Sequence, residues 1–316
     1  MPGPTVLTIG NFDGVHLGHQ AILARARAIA GPAHARVIAL TFDPHPAAVL
    51  RPGSEPARLS TREHKAERLR ATGADDVVIL EPTPELLGQT AEQFVANLVA
   101  TYRPVAFVEG ADFRFGKGRA GNVERLAAMG GEHGFEVQVV DRVDVALADR
   151  QLAPVSSSLV RWLVEHGRVM DAALALNAGF ELRGRVAAGE QRGRTLGVPT
   201  ANLDPADYAG HVLPADGVYA GAVVLPDAAV RPAALSVGVK PTFGEHRLTI
   251  EAHLLDFAGD LYGQSIAIRF ARWIRDQHAF PDLASLKRQL DQDIAQTRRG
   301  ATLGLLDTPR PVAHAG

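Results

Sequence analysis

Residues 8–20 read Thr-Ile-Gly-Asn-Phe-Asp-Gly-Val-His-Leu-Gly-His-Gln. A β-rich run, Thr5–Ile9, ends at Gly10, a turn with glycines follows, and His16 and His19 flank Gly18 where a helical pattern opens. Glycine lets backbone approach a ligand closely, and a helix N-terminus offers N–H groups that suit an anion. Two imidazoles there can donate hydrogen bonds to phosphoryl oxygens as charge develops on them. The stretch thus predicts a strand, a loop and a helix binding nucleotide phosphate at the carboxyl end of the first strand, with Gly10, Asn11, Asp13 and Gly14 in the loop. Half of a metal site is the competing reading of the His pair, but no third ligand cluster lies near it in sequence.

Working outward, the same alternation continues. Arg36–Phe42, Val77–Leu80, Val105–Glu109 and Glu136–Val140 read as strands, and Gly18–Ala30, Ala91–Thr101 and Ser157–His166 as helices. In the first helix Ile22, Ala26 and Ile29 mark the inner stripe, and Gly31-Pro32 ends it. This pattern predicts a Rossmann-like α/β domain with a parallel sheet. Three further segments follow strands or open a helix and are expected to converge on the same edge. They carry Asp43 and His45, then Asp112 and Arg114, then Ser157, Ser158 and Arg161. Residues 110–117 do not make a Walker loop, because five residues separate the glycines and Gly118 stands where the Mg²⁺ hydroxyl belongs.

Beyond about Phe180 the texture changes to short strands punctuated by Gly and Pro: Glu181–Ala187, Val218–Leu225, Ala233–Val239, Leu248–Leu255 and Ile266–Phe270. Such spacing without intervening helices predicts a small β-barrel or sandwich. A last helix spans about Leu283–Arg298, with Leu283, Leu286, Leu290 and Ile294 on one face, and the remainder has no period. The expected division is 1–178, 179–304 and a mobile tail over 305–316. In the second part Gly189, Gly193 and Arg194 can arch over polyphosphate, while Thr200 and Asn202 offer neutral oxygen to Mg²⁺. Thr249, Glu251 and His253 share one strand face, and a carboxylate so held can take the proton of an alcohol attacking a γ-phosphate; a solvated strand face is the plainer reading.

Composition limits the alternatives. The 316 residues contain no cysteine, which removes disulfides, thiolate metal sites and a Cys nucleophile. Charge is balanced, with 18 basic and 20 acidic residues up to Ala178 and 15 of each after it, so neither part is a basic body for nucleic acid. The start has no basic leader and no run is long enough to span a bilayer, which leads to the expectation of a cytoplasmic protein without membrane or nucleic-acid partners and without an obligate protein partner.

Eight motifs in order, GNFDGVHLGH, TFDPHP, DFRFG, SSSLVR, GRTLGVPTAN, PADGVY, PTFG and EAHLLDF, resemble those of the bifunctional riboflavin kinase/FMN adenylyltransferases, from about Thr5 to Arg299. The resemblance implies a nucleotidyltransferase domain followed by a kinase β-barrel. The barrel would phosphorylate riboflavin with ATP to FMN, and the first domain would join FMN to AMP from a second ATP, giving FAD; both steps need Mg²⁺. It implies that His16 and His19 stabilise the transition state, that Asn11, Asp13, Ser157, Ser158 and Arg161 bind nucleotide, that Thr200 and Asn202 hold Mg²⁺, and that Glu251 is the kinase base. Where many members carry Asn before Pro-Thr-Phe, this chain has Ser236. The rival reading is a flavin- or nucleotide-binding regulator that keeps the folds without turnover.

Overall fold

The computed structural model describes residues 3–188, 198–242, 245–302, 304 and 306. Contacts divide the chain into two compact units. One comprises Met1–Ala57, Thr61–Asp144 and Pro154–Ser156, and the other Arg58–Ser60, Val145–Ala153 and Ser157–Gly316.

In the first unit β1 (Thr5–Ile9) is buried along its whole length. A strand buried on both faces needs apolar cover on both, and its side chains sort accordingly. Leu7 and Ile9 join a cluster with Leu98, Phe107, Leu126 and Phe135, while Val6 joins one with Leu23, Ala26, Leu69 and Val108. The connecting elements are α1 (Leu17–Ala30), β2 (Arg36–Phe42), α2 (Pro46–Leu50), α3 (Arg62–Ala71), β3 (Asp76–Leu80), α4 (Pro84–Leu87), α5 (Ala91–Tyr102), β4 (Pro104–Gly110), α6 (Val123–His133) and β5 (Glu136–Val140). The sheet order is β3-β2-β1-β4-β5, and every pairing in it is parallel. The order reverses between β1 and β4, the point at which open α/β sheets leave a crevice beyond their carboxyl ends.

Four elements precede the barrel in the chain, and the two helices among them lie wholly in the second unit. A ribbon forms from β6 (Asp144–Ala146) and β7 (Leu152–Pro154), and two helices follow, α7 (Ser157–Glu165) and α8 (Val169–Leu176). Helix α8 packs on β8 (Phe180–Ala187) and β13 (Ser265–Arg275). The remaining strands are β9 (Ala201–Leu203), β10 (Gly217–Val224), β11 (Val230–Thr242) and β12 (Glu245–Leu254), and the barrel closes in the order β10-β11-β12-β9-β8-β13. Closure gives each of the six described strands a neighbour on both sides, where an open antiparallel sheet would expose two edge strands.

Helix α9 (Leu283–Thr302) lies against β10 and β11. Its apolar face differs from the expected one: Leu283 is 65% exposed, and the deepest positions are the polar Asp293 and Thr297. In α1 the buried residues are Leu23, Ala26 and Ala30, with Ile22 and Ile29 only partly covered. Strand β9 replaces part of what the sequence presents as a loop tail, since three residues are too few for an alternation to register. Gly189, Gly193 and Arg194, and the tail beyond residue 306, lie outside the described residues.

Candidate active sites

In the first unit the loop after β1 turns within seven residues by placing Phe12, Gly14 and Val15 at positive φ, 47°, 80° and 45°. Gly14 takes such an angle without cost, whereas a β-branched valine does not, and strain of that kind is stored where the surroundings over-determine it. Here both Phe12 and Val15 are buried, which supplies the constraint. The loop delivers the chain to His16, the N-cap of α1, whose side chain does not cap the helix. No acidic residue occupies the first turn, so nothing there opposes an anion. A Cβ at residue 18 would lie 3.2 Å from the His16 ring, so glycine lets that ring fold back over the first turn.

The His16 and His19 rings stack, with centroids 3.6 Å apart and planes 20° from parallel, and Phe12 meets His19 edge-on at 5.1 Å. Burial, then His16, then Lys65 push His19 well below the ordinary histidine range, so the ring is neutral at neutral pH. Its Nδ1 is buried without a hydrogen-bond partner among the described residues. A buried polar atom left so is costly unless a ligand answers it.

Around this pair the loops are joined by bonds. Thr41 Oγ1 donates to the Asn11 carbonyl at 3.0 Å, and Asn11 Nδ2 and His45 Nε2 stand 3.0 Å apart. His45 caps α2 by accepting the Ala47 N–H on Nδ1 at 3.1 Å. At the switch point Ile9 N–H donates to Glu109 Oε1 at 2.9 Å. Glu109 is buried, and burial pushes its carboxyl well above the usual range.

The first unit by itself thus brings Asn11, Asp13, Gly14, His16, His19, Asp43 and His45 to one end of the sheet. Asp112 and Arg114 follow β4 and are exposed, with Arg114 donating to its neighbour's carbonyl, and the buried Phe115 anchors that loop. Ser157, Ser158 and Arg161 stand in the first turns of α7, in the second unit. Sequence reading passed over Lys65 and Glu109. The fold shows Lys65, Ala66 and Leu69 as one inward stripe of α3, a stripe that its lysine hides in the sequence.

The second site lies on the outer face of the barrel under α9. Cross-strand register places Asn202 opposite Glu251, and Glu251 opposite Ser236, so three adjacent strands present these residues side by side. Thr200 Oγ1 donates to Glu251 Oε2 at 3.1 Å, and Asn202 Nδ2 approaches the Thr200 carbonyl at 3.4 Å. The alternation read from sequence is observed: Ile250, Ala252 and Leu254 are buried, while Glu251 and His253 face a cavity of about 250 Å³. His253 Nδ1 holds the Pro199 carbonyl at 2.8 Å and so anchors the segment carrying Thr200.

Leu286, Leu290 and Ile294 of α9 supply the apolar wall opposite. The far end is polar: Arg275 donates to Asp293 at 2.8 Å from Nη2, and Gln277 Nε2 donates to the Ser236 hydroxyl at 2.8 Å. One carboxylate aimed into a half-apolar cavity beside two neutral oxygens suits proton removal from an alcohol next to a bound polyphosphate. Among the described residues no group of three or more His, Asp or Glu could hold a metal on protein ligands alone.

The FAD synthetase family profile matches residues 1–157, and the riboflavin kinase profile matches residues 176–301. The bifunctional riboflavin kinase/FMN adenylyltransferase of Escherichia coli strain K12 is 34% identical over 289 residues, covering 91% of this chain and 90% of its own. The protein of the same name from Pseudomonas fluorescens is 35% identical, covering 93% and 92%. A crystal structure described as a macrolide-efflux protein from Streptococcus pneumoniae superposes with a TM-score of 0.83 at 29% identity, covering 94% of this chain and 95% of that one. Among the described residues of this chain no helix is long and apolar enough to cross a membrane.

Proposed function

The chain belongs to the bifunctional riboflavin kinase/FMN adenylyltransferase family, and from that membership we propose how its two sites divide the work. The protein phosphorylates riboflavin with ATP to FMN, then adenylylates FMN with a second ATP to FAD and pyrophosphate. Adenylylation is assigned to residues 1–178 and phosphorylation to 179–304. A regulator without turnover is not favoured, because the two profiles and the similar proteins are those of the two enzymes.

For phosphorylation, Glu251 accepts the proton of the riboflavin 5′-hydroxyl as that oxygen attacks the γ-phosphorus, and the bond to the departing ADP oxygen breaks. The bond from Thr200 Oγ1 at 3.1 Å supports this role most directly, since it fixes one oxygen of a carboxylate that lines the cavity. Thr200 and Asn202 fit Mg²⁺ as hard, neutral oxygen donors, with the remaining positions left to phosphate oxygens and water. When bound there, Mg²⁺ would neutralise phosphate charge. The apolar residues of α9 exclude water and give a flat ring system a surface to lie on.

For adenylylation, a phosphate oxygen of FMN attacks the α-phosphorus of ATP and pyrophosphate leaves, with no obligatory proton transfer. The protein contributes position and charge stabilisation. His16 and His19 donate to phosphoryl oxygens at the start of α1, and the loop 10–14 supplies backbone. Ser157, Ser158 and Arg161 are proposed nucleotide contacts on the strength of their motif. Asp43, His45, Asp112 and Arg114 remain candidates for the flavin phosphate side. A cytoplasmic location without membrane or nucleic-acid partners fits substrates that are all small molecules.

A time course separating riboflavin, FMN and FAD tests the assignment. His16→Ala is expected to abolish FAD formation while FMN accumulates. Glu251→Gln is expected to stop FMN formation yet leave FAD formation from supplied FMN. A folded variant of either kind that stops both reactions refutes the separation of sites.

A further inference from the structure

Lys65 is 7% exposed, a depth at which lysine is rare because the ammonium loses its hydration. Its partners are unusual as well. Nζ donates to the Phe42 carbonyl at 2.8 Å and to the Asn11 carbonyl at 3.3 Å, and the latter also accepts from Thr41. Phe42 is the last residue of β2 and Asn11 lies in the loop after β1, so one side chain from α3 ties together the two loops that frame the histidine pair.

Carbonyl oxygens orient an ammonium without cancelling its charge. Burial, with Arg62 adding to it, holds Lys65 below the ordinary lysine range, while Asp13 and Asp43 favour the charge from nearby. The ammonium is also close enough to His19 to help keep that ring neutral. A buried cation of this kind costs stability, and such costs are retained where a ligand repays them.

We propose that Lys65 is a positioning residue for adenylyl transfer: it locks the loops after β1 and β2 against each other and supplies fixed positive charge to the site where His16 and His19 meet the ATP polyphosphate. This rests on the assignment of adenylylation to the first unit. Lys65 does not react. It sets the backbone that presents Asn11, and it places a fixed ammonium beside the histidine pair before the anion arrives, so that little reorganisation is needed during reaction.

The test uses the full chain carrying Lys65→Met, which keeps the stem, and Lys65→Arg, which keeps the charge. FMN adenylylation and riboflavin phosphorylation are followed separately, and the His19 ring is titrated by NMR. In Lys65→Met, kcat/KM for FAD formation is expected to fall about 100-fold, the size of misplacing reacting groups by about 1 Å, with FMN formation from riboflavin within about twofold of wild type. The His19 midpoint is expected to rise in Lys65→Met and to stay low in Lys65→Arg, which a purely structural role would not produce. A folded Lys65→Met with wild-type FAD formation overturns the proposal, and so does loss of FAD formation with an unmoved His19 midpoint. If Lys65→Met does not fold, Lys65→Arg decides: adenylylation within about tenfold of wild type with a low His19 midpoint supports the proposal, and its abolition in a native-like protein overturns it. Wild-type protein that makes no FAD from FMN would instead refute the assignment on which the proposal stands.

Discussion

Replacing Asp293 by Ala is expected to loosen α9 from the barrel and to weaken the kinase site while leaving adenylylation intact. Asp293 is 1% exposed and accepts bonds from Arg275 Nε and Nη2 and from Gln289 Nε2, the last at 3.0 Å. Removing one partner of a buried pair strands the other charge, which costs about 3–5 kcal/mol. The Arg275 side chain is 18% exposed and keeps its bond to the Asp276 carbonyl at 2.9 Å, so part of its hydration is recoverable. That argues for the lower end, about 3 kcal/mol. At roughly 2–4 °C per kcal/mol for a unit of this size, the barrel transition in a calorimetric scan falls by about 6–12 °C. Because Leu286, Leu290 and Ile294 on α9 wall the cavity, KM for riboflavin is expected to rise as well. The decisive comparison is the double variant Asp293→Leu/Arg275→Met, since replacing both members by apolar groups removes the stranded charge. It should recover most of the loss. A single variant that loses less than about 1 kcal/mol, or a double variant no more stable than the single, refutes the reasoning.

Two further outcomes concern the first unit. Glu109→Gln keeps an acceptor for the Ile9 N–H and removes the cost of ionising a buried acid. With its folded pKa raised, Glu109 contributes stability below about pH 4.5 that is lost as pH rises through the folded value, at roughly 1.4 kcal/mol per unit within that window. The Gln variant should therefore be the more stable at pH 7 in urea unfolding, with the gain vanishing below about pH 4.5. His19 has the opposite sign, losing stability as pH falls below about 6.5, so the Gln variant should show this slope without the opposing one, and adding His19→Gln should flatten it. Gly18→Ala places a methyl 3.2 Å from the His16 ring, and FAD formation is expected to fall at least tenfold with stability changed by less than about 1 kcal/mol, as read from kcat and thermal unfolding.

What could be read from sequence depended on whether a pattern was local. The strand Thr5–Ile9 and the face shared by Thr249, Glu251 and His253 announced themselves, because period-2 alternation and turn glycines act over a few residues. Helix α3 did not. Its sequence, Arg-Glu-His-Lys-Ala-Glu-Arg-Leu-Arg-Ala, is mostly charged, and a lysine on its inner stripe disguises the side that is buried. Strand β9 was hidden by its length, and the polar burial of Asp293 and Thr297 by the partners that permit it, which come from β13 and from the helix itself. The grouping of α7 and α8 with the barrel was invisible for the same reason, since tertiary contacts decide it.

The two sites also answer their chemistry differently, and the difference explains where their residues come from. Alcohol attack on a γ-phosphate needs a base, and on the proposed assignment that base is Glu251, which cross-strand register fixes against Asn202 and Ser236. Attack by a phosphate oxygen needs no base, because the nucleophile is already ionised. Its difficulty is bringing anions together, and the proposed assignment answers that with a helix N-terminus, two stacked imidazoles and a lysine whose ammonium donates to carbonyls.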